Sequence, residues 1–251
     1  MTPLRRSTLN LYEFKEYLKD KRVIVVGNNV TALEKVQGDL IDSYDVVIRF
    51  GKGLPDGKEK YIGSITDVWV TGIFRKNMRN MVSPSTIVLY NNNVYSPDMQ
   101  VLPTYEYLSM YSYDEIKEIA KEYIDPEEKL ISGEPRLSAG ATTAHWLVNV
   151  VGGYESITFI NFDFFQQAVM YYDRKQDTKN VASSWHIPIA VIKYVDLEHP
   201  EIHPAHSSKA EKALFSKILQ APNAYFIGDN INTLSIIEAD NIPWDNTRLK
   251  L

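Results

Sequence analysis

The fold is set by the segment Arg22-Val23-Ile24-Val25-Val26-Gly27-Asn28-Asn29, a run of β-branched residues that ends in a turn. A short apolar run bounded by a turn predicts a strand that is buried on both faces. Directly after the turn, Thr31 and Glu34 carry the capping signals of a helix, which we place over residues 31–36. The segment therefore predicts a strand–turn–helix unit of an α/β sheet.

Strand-like and helix-like segments alternate along the rest of the chain. The further predicted strands are residues 45–50, 67–71, 86–90, 156–162 and 224–227. The further predicted helices are residues 11–19, 113–123 and 139–151 and a helix that begins near Ser208. This order indicates an α/β fold, a mainly parallel sheet with helices on both faces. We expect a single domain over residues 1–251, with the irregular residues 166–203 as a lid.

Composition narrows the class of protein. A length of 251 residues, 44% hydrophobic residues and a net charge of −5 argue against disorder and against a strongly basic nucleic-acid binder, although a local basic patch is compatible with the total. Cysteine is absent, which excludes disulfides, thiolate catalysis and zinc–thiolate sites. No apolar run approaches the length of a membrane span, so we expect a cytoplasmic protein without an anchor.

A histidine precedes a predicted helix in the segment His203-Pro204-Ala205-His206-Ser207-Ser208-Lys209-Ala210-Glu211. Ser208 and Glu211 have the spacing of a capping box, which puts the helix start one or two residues after His206. The positive end of a helix disfavours an imidazolium, and a neutral histidine beside a cleft is suited to accept a proton from a hydroxyl. A surface histidine in a proline-rich loop is the alternative, and position alone favours neither.

The turn Gly27-Asn28-Asn29 is a second candidate site. Ligands of parallel sheets lie beyond the carboxyl ends of the strands, where N–H groups between a strand and a helix can bind a phosphate. A simple tight turn is the alternative interpretation of Gly27. The dinucleotide pattern G-x-G-x-x-G is missing, and the second strand ends in Ile48-Arg49-Phe50 without an acidic residue, which argues against NAD.

Four motifs of the sialyltransferases have similar segments in this sequence, in the same order. Residues 25–29 and 40–50 resemble the long donor-binding motif, and residues 61–70 resemble the G-x-x-T-D segment that follows it. Residues 136–142, which read Arg-Leu-Ser-Ala-Gly-Ala-Thr, and residues 160–164 are similar to the shorter sialyl motif. Residues 206–214 are similar to the segment that carries the catalytic base. The resemblance extends from about residue 22 to residue 215.

The resemblance implies a Rossmann-like, single-domain glycosyltransferase, the GT-A-like variant of the sialyltransferases, that inverts the anomeric centre without a metal. It implies His206 as the general base and Arg136 as a group that stabilises the leaving phosphate. The donor is expected to be a sugar on CMP or UDP, with no other cofactor. The donor site is expected to comprise Gly27, Asn28, Asn29, Arg49, Gly51, Thr71, Ser138, Ala139, Gly140, Asp163, Phe165, Tyr171 and Tyr172.

Three positions depart from the sialyltransferase pattern. Gly51 stands where the relatives have an asparagine, Thr71-Gly72 where the bacterial enzymes have another, and Phe165 replaces the tyrosine of the "I-D-F-Y" motif. These changes remove hydrogen-bonding groups near the donor sugar and phosphate. We therefore expect a donor other than sialic acid, such as a neutral hexose or pentose.

Two classes of acceptor stay open. The family default is a glycan on a cell-surface polysaccharide or lipid. Similar sequences without an anchor also occur in phages, where they attach sugars, for example arabinose, to 5-hydroxymethylcytosine in DNA. The compact length, the missing anchor and the altered donor site favour DNA, whereas the acidic balance argues against it. The expected location is the cytoplasm of a bacterium or of a phage-infected host cell.

Two other kinds of site compete with a transferase. His199, His203 and His206 have the spacing of metal ligands on a helix, but Pro200 and Pro204 interrupt any helix across them. A non-catalytic sugar- or nucleotide-binding module is the remaining alternative, and it requires that His206 point away from the cleft.

Overall fold

A parallel sheet organises the protein. The computed structural model describes residues 9–51, 53–55, 57–71, 82–83, 85–91, 107–124, 137–162, 164 and 207–228. Its strands are β1 (Arg22–Val26), β2 (Val46–Phe50), β3 (Val68–Thr71), β4 (Ile87–Tyr90), β5 (Tyr107–Ser109), β6 (Ser156–Ile160) and β7 (Ala224–Ile227). They form one sheet in the order β5-β4-β3-β2-β1-β6-β7, and every neighbouring pair is parallel. The predicted parallel α/β fold is confirmed.

Helices cover both faces of this sheet. They are α1 (Leu11–Leu18), α2 (Gly38–Asp42), α3 (Glu59–Ile62), α4 (Tyr113–Tyr123), α5 (Ala139–Trp146) and α6 (Ser208–Ile218). Successive side chains of β1 point to opposite faces, as the pleat requires. Val23 and Val25 belong to the larger core, with residues of α1, α4, α5 and α6, whereas Ile24 and Val26 belong to a smaller core with α2 and α3. This three-layer packing explains why β1 is apolar at every position after Arg22.

The prediction of a helix over residues 31–36 is wrong about the type of helix. The segment Val30–Glu34 is a 3-10 helix, and the N–H of Ala32 donates to Asn29 O at 3.1 Å in the i→i+3 pattern. Val30 and Thr31 are β-branched, which disfavours α-helix, and five residues offer too few hydrogen bonds to offset nucleation.

Other predicted boundaries shift by a few residues. The helix predicted over residues 139–151 changes at Trp146 into a π-helical turn, Leu147–Val151, which ends where Gly152 N donates to Leu147 O at 3.0 Å. The strand predicted to reach residue 162 ends at Ile160, because Asn161 has φ +62° and leaves the extended conformation.

The sequence did not predict β5, α2 or α3, each of which has three to five residues. Elements this short carry little more than one period of helical or strand alternation, which is too little to be recognised. Within the described ranges no helix is long and apolar enough to cross a membrane. The predicted lid, residues 166–203, lies outside the described residues.

Candidate active site at the carboxyl edge of the sheet

The strand order reverses between β1 and β6. From β1 to β5 the chain adds strands on one side, and β6 then returns to the other side of β1. At such a reversal the two outgoing loops diverge, which leaves a crevice beyond the carboxyl ends of the strands. The N–H of Gly27 donates to Ile160 O at 2.8 Å, and the N–H of Asn29 donates to Asn161 O at 3.4 Å. The predicted turn after β1 therefore lies at the switch point of the sheet.

Gly27 is required by close packing at this point. A Cβ at this position would lie 2.2 Å from Asn161 O and 3.1 Å from Cδ2 of Phe162. The first distance is to backbone, which cannot yield as a flexible side chain would. The backbone directly after β6 therefore explains why position 27 is a glycine.

Asn28 connects the turn to the end of β2. Its Nδ2 donates to Phe50 O at 3.1 Å, and Gly53 packs so closely on the amide that a Cβ there would clash with it. The Oδ1 atom of Asn28 and the Nδ2 atom of Asn161 are buried and have no hydrogen-bond partner among the described residues. An unpaired buried polar group costs ~1–3 kcal/mol, and a ligand that pairs with it recovers that cost.

Arg49 is wholly buried under the segment that follows α3. Its Nε donates to Ile65 O at 2.8 Å and its Nη2 donates to Ile62 O at 2.5 Å. Asp42 holds the same segment from the other side, since its carboxylate accepts from the N–H groups of Ser64 and Ile65. In the described structure these contacts give Arg49 a role in shaping the loop before β3.

The G-x-x-T-D segment, Gly63 to Asp67, also has a structural role, because its hydrogen bonds hold the loop before β3 and connect neighbouring strands. Gly63 has φ +76° and starts the loop that Asp42 caps. Asp67 accepts from Val47 N at 2.8 Å, which ties the start of β3 to β2. Thr66 O accepts from the hydroxyl of Thr86 at 3.2 Å. The motif thus fixes the register of three strands.

Gly51 and Thr71 lie at the carboxyl ends of β2 and β3. Gly51 has φ +47°, and a Cβ there would meet no atom of the described residues within 4 Å. Its N–H donates to Val70 O at 2.9 Å, and its carbonyl accepts from the indole N–H of Trp69 at 2.7 Å. Thr71 is buried. No described residue therefore occupies the place where a side chain at position 51 would lie, whereas the side chain of Thr71 is enclosed.

Asn91 joins this edge to α5, and sequence reasoning missed it. It follows β4 and is fully buried. Its N–H donates to Thr71 O at 3.0 Å, and its Nδ2 donates to Ala139 O at 3.4 Å. Asn91 opens the run Asn91-Asn92-Asn93, which gives no signal of a site, because the importance of Asn91 depends on a helix that starts 48 residues later.

The predicted helix start at Ala139 is confirmed. Ser138 is the N-cap of α5, and its Oγ accepts from Ala141 N at 3.1 Å. The N–H groups of Ala139 and Gly140 have no acceptor among the described residues. A Cβ at Gly140 would lie 2.8 Å from Cε1 of Phe162, the residue that also packs on Gly27. Phe162 thus brings together two turns of the predicted donor site, the turn after β1 and the start of α5.

The predicted capping box at the start of α6 is wrong. The N-cap is Ser207, whose Oγ accepts from Ala210 N at 3.0 Å. Glu211 does not turn back to its own helix. Its Oε1 accepts from Ser138 N at 2.6 Å and its Oε2 accepts from Ser138 Oγ at 3.0 Å, so the N-termini of α5 and α6 are joined. Glu211 acts across helices because Ser207, one residue earlier than predicted, already caps α6.

The loop after β6 contains two residues with positive φ. Asn161 has φ +62° and Phe164 has φ +53°. Asparagine tolerates this conformation, whereas phenylalanine does not adopt it without support. Phe164 is held by stacking on Phe226 at 5.8 Å and by an edge contact with Phe215 at 5.1 Å. The aromatic core therefore holds a strained turn at the switch point.

The other predicted site residues lie outside the described residues: Arg136, Asp163, Phe165, Tyr171, Tyr172 and His206, together with His199 and His203. Leu137, which directly follows Arg136, precedes the N-cap of α5, and Ser207, which directly follows His206, is the N-cap of α6. In the described part of the chain no group of three potential metal ligands occurs.

Solved structures of known proteins share the fold of this chain. The structure matches that of a mammalian sialyltransferase in complex with Gal-beta-1-3GalNAc-ortho-nitrophenol, with a TM-score of 0.50 and 15% sequence identity over 86% of this chain and 72% of the other. The chain has a sialyltransferase-like fold. A second crystal structure of a mammalian sialyltransferase matches with a TM-score of 0.49 and 16% identity over 86% of this chain and 71% of the other. No family model and no curated protein matches the sequence.

Proposed function

We propose that the protein is an inverting glycosyltransferase that moves a sugar from a CMP- or UDP-linked donor to an acceptor hydroxyl without a metal. The observation that carries this proposal is the pair of helix N-termini joined by Glu211 and Ser138 at the switch point of the sheet. One helix start offers the N–H groups of Ala139 and Gly140, and the other directly follows His206 in the chain.

In the proposed reaction His206 takes the proton of the acceptor hydroxyl. The acceptor oxygen then forms its bond to the anomeric carbon while the bond from that carbon to the phosphate oxygen breaks. The leaving nucleotide keeps the electron pair. The N–H groups at the start of α5, assisted by Arg136, stabilise the negative charge that develops on it, since donors at a helix N-terminus favour an anion.

The donor is proposed to bind along the crevice from the turn after β1 to α5. The unpaired Oδ1 of Asn28 supports this placement, because it is a buried acceptor without a partner among the described residues. Gly51 supports a donor other than sialic acid, because glycine has no side chain that could hydrogen-bond a carboxylated sugar. Tyr171 and Tyr172, which belong to the predicted lid, are proposed to contact the phosphate of the donor.

The test is a hydrolysis and transfer panel of nucleotide sugars. The donors are CMP-sialic acid and the UDP- and CMP-linked neutral hexoses and pentoses. The acceptors are a Galβ1-3GalNAc glycoside and DNA that contains 5-hydroxymethylcytosine, with unmodified DNA as the control. Transfer of a neutral sugar to either acceptor supports the proposal, and the acceptor that gains mass identifies the class. Absence of both hydrolysis and transfer across the panel contradicts it, and strong turnover of CMP-sialic acid alone contradicts the proposed donor.

A further inference from the structure

The carboxylate of Glu211 has an unusual set of partners. Its side chain is only 3% exposed, and both of its oxygens accept hydrogen bonds from one residue, Ser138, which lies 73 positions earlier in the chain. The Ser112–Glu115 pair at the start of α4 shows the ordinary arrangement. There the carboxylate accepts from Ser112 N at 2.7 Å within a single exposed capping box. Glu211 uses the same chemistry between two helices.

Ser138 is fixed from both sides by this contact. Its Oγ accepts from Ala141 N at 3.1 Å while its hydroxyl proton is donated to Glu211. Asn91 holds Ala139 O from β4, and the Phe162 ring packs on Gly140. The first turn of α5 is therefore held from three directions, by α6, β4 and the end of β6.

The contact leaves the anion-binding groups of α5 available. Glu211 takes the N–H of Ser138, the N-cap residue, and not the N–H groups of Ala139 and Gly140. A carboxylate that accepted from these two would compete with a phosphate for the helix N-terminus. The arrangement thus anchors the helix start without occupying it.

We propose that Glu211 is a positioning residue, which through Ser138 fixes the first turn of α5 relative to the start of α6. This inference rests on the proposed function, in which the two helix starts serve the leaving phosphate and the base. Glu211 touches neither substrate, and its effect on the rate comes from the geometry of the groups that do. A shift of about 1 Å in such groups costs up to ~10²-fold in rate.

The experiment compares Glu211→Ala, Glu211→Gln, Ser138→Ala and the double variant Glu211→Ala/Ser138→Ala. The measurements are kcat, KM for the donor, the melting temperature, and hydrogen–deuterium exchange of the peptide covering residues 137–146. Glu115→Gln is the control for the same carboxylate–serine bond on one helix. Ser216→Ala is the control for a buried polar group on α6, because Ser216 Oγ donates to Lys212 O at 2.9 Å within the same helix.

Glu211→Ala is expected to lower kcat about tenfold or more with a small change in KM, because misplacement acts mainly in the transition state. Glu211→Gln keeps an acceptor for Ser138 N and is expected to retain kcat within about threefold, since the amide can also donate to Ser138 Oγ. The double variant is expected to be no slower than Glu211→Ala, because both changes break one interaction. Both controls are expected to keep kcat.

Three results would overturn the proposal. One is a kcat of Glu211→Ala close to that of the wild type. Another is independent, multiplying losses for the two single variants. The third is a Ser216→Ala variant that loses as much kcat at an equal melting temperature. If Glu211→Ala fails to fold, the double-mutant cycle is made with Glu211→Gln and Ser138→Ala instead, and it shows whether the effects of the two substitutions on kcat are coupled.

Hydrogen–deuterium exchange tests the positioning role of Glu211 independently of the proposed glycosyltransferase function. If the wild type turns over no donor, the glycosyltransferase proposal fails on its own. Faster exchange at residues 137–146 in Glu211→Ala, with exchange of α4 unchanged, then still supports the anchoring of α5. Unchanged exchange in the variant contradicts it.

Discussion

Phe162 and Gly140 are in direct contact, so that a Cβ on residue 140 would lie 2.8 Å from Cε1 of the ring. The opposite side of the same ring packs on Gly27. The ring also meets Phe159 and Phe50 edge-on, each at 6.1 Å, a favoured geometry for aromatic pairs. The distance between the two turns is therefore set by the aromatic core. Gly140 is needed to accommodate the Phe162 ring, whereas Gly27 is needed mainly because of the backbone of Asn161.

Replacing His206 by alanine should remove transfer and leave nucleotide binding nearly intact. General-base catalysis is typically worth ~10²–10⁴-fold in rate, whereas the nucleotide is proposed to bind to the turns after β1 and before α5. The measurement is kcat for transfer together with the dissociation constant of the free nucleotide. His145→Gln, on α5 but away from its first turn, is the control and should keep kcat. A His206→Ala variant with more than a tenth of the wild-type turnover would exclude His206 as the base, and His186 would be the next candidate.

Transfer activity should persist in excess chelator. Arg136 and the helix N-terminus are proposed to neutralise the leaving phosphate, and the chain has no Asp-x-Asp motif to hold a divalent cation. The assay compares initial rates with and without EDTA after dialysis. Complete loss that manganese or zinc restores would contradict metal-independent transfer and would favour a metal site at His199, His203 and His206.

Much of the fold was predictable because β1, β2 and β6 are buried on both faces. Their apolar runs are long enough to be recognised, and the alternation of strands with helices predicts a parallel sheet. The segment Val30–Glu34 was misassigned because Thr31 and Glu34 have capping spacing, while backbone preferences and shortness select a 3-10 helix. Local patterns locate an element more reliably than they determine its type.

The candidate site was predictable only in part, because its key contacts join distant segments. Gly27 and Ser138 could be found from the turns and caps that surround them. Glu211 was assigned to a capping box because its spacing from Ser208 fits one, and only the packing of α6 on α5 shows that it binds Ser138. Asn91 gave no signal, since a run of asparagines after a strand is compatible with any loop.

Arg49→Lys should destabilise the fold more than it changes the affinity for a nucleotide. The guanidinium donates to two carbonyl oxygens in a fixed fork, and an ammonium cannot reach both with the same geometry. Hydrogen bonds of charged groups are worth ~1.5–3 kcal/mol, so the melting temperature should fall by several degrees. The readouts are thermal unfolding and nucleotide titration. An unchanged melting temperature with a weakened nucleotide affinity would instead assign Arg49 to the donor site, as the motif resemblance implies.

The stability of the protein should fall as the pH drops below about 6.5, with His145 as one cause. Burial is the largest influence on this imidazole and lowers its pKa, with Lys217 acting in the same direction and Glu122 opposing. The unfolded chain binds the proton near pH 6.5, before the folded protein does, so the free energy of unfolding decreases between that pH and the lowered pKa. Tyr111, which shares a hydrogen bond with His145 Nδ1 at 2.9 Å, stays neutral in this range because burial raises its pKa to about 12.

His145→Gln isolates this contribution, because glutamine can still pair with the Tyr111 hydroxyl but does not titrate. Melting temperatures from pH 8 to pH 5 should decline more steeply for the wild type than for the variant, and the two curves should run parallel above pH 7. Tyr111→Phe is the matched control, since it removes the hydrogen bond and leaves the imidazole buried, and it should keep the wild-type slope. Equal slopes for wild type and His145→Gln would show that His145 takes up its proton as readily in the folded protein as in the unfolded chain, and the acid sensitivity would then belong to other groups.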